Sequence, residues 1–400
     1  FLITASFAMR LSAETAWLKG MPEALLAAQA QKKPILLDFQ APWCYSCYYM
    51  EQHVLSKDAF AQASRRLIPV KIDVDLEEGR ALKEKYGVTF LPSYVLTDAK
   101  GSVLGRIIGE QTEKDFLEKL AALSGGAPQD PASRAVQSLK ARLDAGQYAE
   151  AAKEISALPK SLTKELSSRA EWKILASRLT LMREVKAKKS SKLAALESLL
   201  KLEDSCALAY DFGYADALLA ALPEARRKEL LEAARPPLEK LVENKIFKGD
   251  CADFRSGVEV LAGVYADLKL PEKRSQLLAR AIVLLEQKQP RAGEDRNLDD
   301  NLRFFLEQAG SDEKLTAFYP KLVAAYPADY VYSYRFARYL QGHDRLNDAL
   351  ILIENADKLS YGANRLAVTK VRAKILAALG RKPEAQALLK RDIKAGGKSF

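Results

Sequence analysis

Residues 38–47 read Asp-Phe-Gln-Ala-Pro-Trp-Cys-Tyr-Ser-Cys. The run Pro34-Ile-Leu-Leu-Asp-Phe39 has the length and apolar content of a short buried strand, and Cys44–Val54 reads as a helix opening just after it. A Cys-x-x-Cys at such a junction has a specific chemical use. Cys44 falls at the helix N-terminus, where unpaired backbone N–H groups and the helix dipole favour a thiolate. Cys47 lies one turn further, near enough to close a disulfide with it. A low-pKa thiol with a resolving neighbour is the minimum for thiol–disulfide exchange. The other readings of the pair are a structural disulfide or half a zinc site. Zinc needs four ligands, and no second pair or histidine stands at motif spacing, so no metal is expected. Asp38 is a charged residue amid Ile35, Leu36, Leu37 and Phe39. A buried carboxyl there has a raised pKa and can pass a proton to and from Cys47.

Outward from this segment, strand and helix patterns alternate over residues 14–124. Glu23–Gln31 reads as an amphipathic helix, Leu67–Val74 as a second buried strand and Ala81–Lys85 as a short helix. Ser93–Thr97 and Val103–Ile108 flank the hairpin turn Asp98-Ala-Lys-Gly101, and Thr112–Leu123 closes with a helix. The order implies a small mixed α/β sheet covered on both faces.

This stretch resembles the thioredoxin superfamily. Trp43 precedes the first cysteine, Asp38 stands six residues before it, Lys71 lies in Val-Lys-Ile-Asp-Val-Asp75, Leu91-Pro92 ends Gly87-Val-Thr-Phe-Leu-Pro92, and Gly109 follows the last strand. In that family these positions hold the tryptophan, the buried strand carboxylate, its lysine partner, the cis-proline facing the cysteines and a conserved-type glycine. The resemblance thus implies a thioredoxin fold and catalytic roles for Cys44, Cys47, Asp38, Lys71, Pro92 and Trp43. Lys33-Pro-Ile-Leu-Leu-Asp-Phe and Val54-Leu-Ser-Lys-Asp58 look most like the periplasmic branch typified by the C-terminal domain of the DsbD reductase. It implies protein thiol or disulfide substrates, a redox partner protein with a membrane-associated electron donor as one candidate, and no cofactor. Tyr-Ser between the cysteines and Tyr48 after Cys47 depart from the commoner patterns, so the motif sets no redox potential by analogy. Tyr45, Tyr48 and Tyr49 crowd the site, as helix packing or as a substrate-facing surface.

Ser124-Gly-Gly-Ala-Pro-Gln-Asp-Pro131 is a linker by composition, placed at 125–133, and implies two separately folding halves. Residues 134–400 have helical periodicity. Gly146-Gln-Tyr-Ala-Glu-Ala151, Asp344-Arg-Leu-Asn-Asp-Ala349 and Gly380-Arg-Lys-Pro-Glu-Ala385 share a turn residue and a small alanine five later. Ala349 and Ala385 are 36 residues apart, near the period of a helix–turn–helix repeat. This half resembles degenerate tetratricopeptide (TPR) repeats, irregular over 160–300. Cys206 and Cys251 sit beside turn-like clusters, as a structural disulfide between hairpins or as free thiols, with the disulfide preferred. Tyr319, Tyr326, Tyr330, Tyr332, Tyr334 and Tyr339 either pack the helices or line a peptide groove. His53 reads as an ordinary helix residue.

Composition narrows the class further. Four hundred residues, 48% of them apolar and 28% charged, describe a multidomain globular chain, while four cysteines and two histidines exclude a disulfide scaffold and a multi-histidine metal enzyme. Residues 1–124 hold 15 basic and 15 acidic side chains, so the net +10 lies entirely beyond them. The basic stretch Lys186, Lys188, Lys189 and Lys192 comes without a nucleic-acid motif and reads as a solvated face. Phe1–Ala8 is apolar and ends in Ser6-Phe7-Ala8, with small residues where a signal peptidase cuts, like the end of a secretory leader, and residues 1–13 are assigned to that or to an N-terminal extension. A periplasmic location follows as an expectation. Two functions remain: an exported thiol–disulfide oxidoreductase whose helical half recruits a protein partner, or a TPR scaffold or chaperone-like binding protein in which the thioredoxin domain is mainly structural. The intact set of Cys44, Cys47, Asp38, Lys71 and Pro92 favours the first.

Overall fold

The computed structural model describes residues 15–124, 130–188, 193–289 and 291–396. The leader assigned to 1–13, most of the linker, and Lys189 and Lys192 of the basic stretch lie outside them. The first half runs α1 (Met21–Gln31), β1 (Ile35–Gln40), α2 (Tyr45–Met50), α3 (Asp58–Ser64), β2 (Ile68–Asp73), α4 (Glu77–Lys85), β3 (Ser93–Thr97), β4 (Val103–Ile108) and α5 (Glu113–Ser124). A π-helical turn, Glu51–Leu55, continues α2. The strands lie in the order β2-β1-β3-β4. β1 pairs parallel with β2 and antiparallel with β3, and β3 pairs antiparallel with β4.

Alternation along β1 decides what each layer holds. Ile35, Leu37 and Phe39 join Met21, Ala24 and Ala28 of α1 on one side. Leu36 joins Met50, Val54, Phe60 and Phe116 on the other. By the same period Asp38 shares the Leu36 side, between its register partners Lys71 on β2 and Tyr94 on β3. The helix α3 was not legible in the sequence. It has seven residues and one wholly buried anchor, Phe60, stacked on Trp17 and edge-on to Phe116, too little for a helical period to show.

After Ser124 every described element is helical, so a thioredoxin-like α/β half is followed by a helical half. Its first helix opens at Pro131 rather than at Arg134. Asp130 caps it by accepting the Ser133 N–H at 2.8 Å, so Asp-Pro, read as linker, is a helix start. Ala151, Ala349 and Ala385 of the repeated pattern are buried, which lets paired helices approach closely. Cys206, at the start of the helix Ala207–Leu219, is joined to Cys251 with Cα atoms 5.7 Å apart.

The two halves share a seam. A Gly/Pro-rich linker reports local chain freedom, whereas separability depends on long-range contacts that composition does not encode. Tyr361 donates to Asp73 at 2.6 Å, Asn364 donates to Asp75 at 2.8 Å, and the Ala363 N–H donates to the Asp75 carbonyl at 3.1 Å. Gly362 permits this approach: its φ is +52°, and a Cβ there would stand 2.0 Å from the Asp75 carbonyl oxygen. Gly362→Ala should therefore lower stability by about 2–3 kcal/mol, through a left-handed conformation and overpacking at once. Urea unfolding of the full chain checks this; an unchanged midpoint contradicts it.

Candidate active site

β1 ends at Gln40 and the chain turns through Ala41-Pro-Trp43 into α2. Cys44 has extended backbone angles and is the N-cap of α2, its sulfur accepting the Cys47 N–H at 3.1 Å. Cys47, in the next turn, is bonded to Cys44 with Cα atoms 5.3 Å apart. The structure thus holds the oxidised form, and both cysteines are buried, at 4% and 7% exposure. The Leu91–Pro92 bond is cis. It immediately precedes β3, whose Ser93 pairs with Phe39, so Pro92 lies at the edge of the sheet from which the Cys44 loop departs.

Asp38 is buried and its Oδ1 has no hydrogen-bond partner. Burial pushes its carboxyl up to about 7; the Lys71 charge opposes this and the Glu51 charge adds to it. The register places Lys71 beside Asp38, but the ammonium hydrogen-bonds Glu51 at 2.7 Å instead. Glu51 was missed in the sequence. It stands four residues after Cys47, one turn along the same helical face, and that spacing was the available signal. Cys47, Glu51 and Lys71 border one cleft of about 320 Å³, closed on another side by Tyr48 and by Tyr361 of the helical half. The cleft opens beside Cys47. Trp43 is 40% exposed and its indole donates to Asp75 at 2.9 Å, the carboxylate that Asn364 also holds.

The helical half contributes directly to this site. The helix Arg296–Gln308 packs on α2. Its cap, Asp295, accepts from the Asn297 and Leu298 N–H groups and pairs with His53 at 2.7 Å. His53 is thus a contact between the halves, not an ordinary helix position. Asn297 bonds the Tyr45 carbonyl and the Glu110 carboxyl, each at 3.1 Å. Burial drives the Glu110 pKa well above the usual carboxylate range. Two of the three crowded tyrosines, Tyr45 and Tyr48, face the seam, while Tyr49 packs within its own half. Arg255 covers the Tyr45 ring at 3.6 Å, Arg296 covers Tyr48 at 4.1 Å, and Tyr49 lies against His53 with ring centres 4.7 Å apart. In the later cluster Tyr319 stacks on Phe336 and Tyr326 on Tyr332, and Tyr319, Tyr330, Tyr332 and Tyr339 are buried, so packing accounts for them.

The raised Asp38 pKa has a stability consequence. Between about 4 and 7 the folded chain holds a proton that the unfolded chain has lost, so stability falls as pH rises through that window and levels above it. Asp38→Asn removes the penalty. Its unfolding free energy, from urea titration, should exceed that of the parent at pH 8 by at most about 4 kcal/mol at roughly 1.4 kcal/mol per unit, and the gain should vanish near pH 4. A constant difference across pH would contradict the assignment.

Residues 21–124 match the family described as a thioredoxin-like domain. The thiol:disulfide interchange protein DsbD of Ralstonia nicotianae is 31% identical over 114 residues, which cover 28% of this chain and 19% of that protein. The chloroplastic thioredoxin-like protein HCF164 of Oryza sativa subsp. japonica is 28% identical over 109 residues, covering 27% and 41%. Among solved structures, the oxidised C-terminal domain of DsbD from Neisseria meningitidis has 27% identity and a TM-score of 0.22, covering 26% of this chain and 95% of that one. This chain therefore spans less than half the length of either curated relative, and its thioredoxin-like segment is what the similarity covers.

Proposed function

We propose that the chain is an exported thiol–disulfide oxidoreductase acting through Cys44 and Cys47 on protein substrates, with a TPR-like helical half that engages the protein partner. One observation carries the reading. A cysteine pair opens α2, with a buried carboxyl, its Oδ1 without a hydrogen-bond partner, on the strand that leads into it. Asp38, held near neutrality by burial, can accept and return a proton at physiological pH.

In the reductive direction the Cys44 thiolate attacks one sulfur of a substrate disulfide. A mixed disulfide forms, and the other substrate sulfur leaves as a thiolate that takes a proton from water. Cys47 gives its proton to ionised Asp38 and attacks the Cys44 sulfur, which releases the second substrate thiolate. The substrate has gained two electrons and the Cys44–Cys47 pair has lost them, closing as a disulfide. A partner dithiol protein, membrane-associated in a periplasmic setting, restores the pair by the same exchange. Pro92 in cis sets the Leu91 backbone for pairing with an extended substrate, Lys71 steadies the charge around Asp38, and Trp43 shapes the exposed rim. Export is supported by the second cysteine pair, Cys206–Cys251, because such bonds persist in oxidising compartments. No helix of the described residues is long and apolar enough to cross a membrane.

Insulin reduction with dithiothreitol tests the activity. Cys44→Ser should abolish it, and Cys47→Ser should trap mixed disulfides with substrate. Equal activity of both variants and the parent would leave the scaffold reading instead, and faster alkylation of Cys47 than of Cys44 would reverse the two roles.

A further inference from the structure

The backbone on both sides of Cys44 is held by side chains from the helical half. Arg335 donates to the Trp43 carbonyl at 3.2 Å, and Asn297 to the Tyr45 carbonyl at 3.1 Å. Arg296 approaches the Pro42 carbonyl at 3.5 Å, where Tyr48 also donates at 2.9 Å. Hydrogen bonds from cations are the stronger kind, so the peptide entering Cys44 is fixed by a charged group some 290 residues away in sequence.

Arg335 also belongs to a network of charges. Arg255, Arg303 and Arg335 converge on the Asp300 carboxylate, and Arg303 also pairs with Glu307 at 2.6 Å. Arg296 is matched by Asp329 at 2.5 Å, and Lys71 by Glu51. The acids that face the site from other elements are Asp75 under the Trp43 indole, Asp253 beside Tyr45 and Arg255, Glu259 beside Arg255, and Asp295 bonded to His53. Asp73 lines the cleft beside Cys47 and accepts from Tyr361, and Asp38 and Glu110 are both biased toward the neutral form by burial. Of the cations, Arg335 is the one bonded to the residue next to Cys44.

We propose that Arg335 is a positioning residue for the Cys44 nucleophile, tying the Trp43 carbonyl and placing a positive charge beside the thiolate. The helical half would then complete the active site as well as engage a partner. This rests on the oxidoreductase reading, and its consequence is electrostatic. Removing the charge should raise the Cys44 pKa, because a nearby cation favours the ionised sulfur.

The test uses the full chain with Cys44 and Cys47 reduced. The rate of Cys44 alkylation by iodoacetamide is followed against pH, and the modified peptide is identified by mass. Arg335→Gln keeps a donor for the carbonyl and loses the charge; Arg335→Lys keeps the charge. The Gln variant should move the midpoint upward by about one pH unit, with roughly tenfold slower alkylation below it. The Lys variant should recover more than half of that shift. Coincident profiles for the parent and the Gln variant would overturn the proposal, as would equal shifts for Gln and Lys. If the Gln variant does not fold, the comparison of Lys with the parent stands, and a full one-unit shift in Lys overturns the proposal. Insulin reduction by the parent is measured alongside. A shifted profile in a chain that reduces no insulin would keep the tuning and reject the oxidoreductase reading.

Discussion

Asp300 is a carboxylate with almost no access to water, and three guanidinium groups converge on it. Burial opposes its ionisation, but Arg303, Arg335 and Arg255 outweigh that and hold its pKa far below the usual range. Two of these arginines reach beyond the helix of Asp300. Arg255 lies against the Tyr45 and Phe304 rings and Arg335 holds the peptide before Cys44, while Arg303 pairs with Asp300 and Glu307 along the helix that packs on α2. Loss of the carboxylate would strand buried charges, which typically costs about 3–5 kcal/mol. The geometry of the cysteine loop and the docking of the helical half are therefore coupled through one side chain.

A buried polar seam of this kind has a different character from an apolar interface. Asn297, Asp299, Asp300, Asn301 and Arg303 are all buried on a single helix, and each is bonded to a specific partner. Such groups are costly unless every partner is in place, so they fix one arrangement of the halves and disfavour near misses. That suits the proposed site, whose parts come from both sides: the cysteines, Asp38 and Pro92 from the thioredoxin-like half, and the hydrogen bonds to the cysteine loop from the helical half.

The strands and the cysteine helix were legible because their signals are local. Ile35-Leu-Leu-Asp-Phe39 is an apolar run broken by one acid, and Cys44 stands where a strand gives way to a helix. The helical character of the second half was legible from periodicity in the same way. The seam was not. Arg296-Asn-Leu-Asp-Asp-Asn-Leu-Arg303 has the composition of a solvated helix face, and only the partners brought by the fold make it an interior surface. Glu51 was passed over for a related reason: an acid one turn beyond Cys47 looks like an ordinary surface residue until Lys71 is seen to bond it rather than Asp38. Tyr45 and Tyr48, open in the sequence between packing and a substrate surface, turn toward the other half of the same chain, while Tyr49 packs in its own half against His53.

The central claim is that Cys44–Cys47 works as a reversible two-electron couple while Cys206–Cys251 is a fixed brace. The most direct test is the equilibrium potential of each pair in the intact chain, titrated in thiol–disulfide buffers and read by mass after alkylation. The account predicts a Cys44–Cys47 potential between about −120 and −270 mV, the span of catalytic dithiols, with Cys206–Cys251 below about −300 mV. A Cys44–Cys47 potential below about −300 mV, no higher than that of the second pair, would mark it as structural and contradict the account.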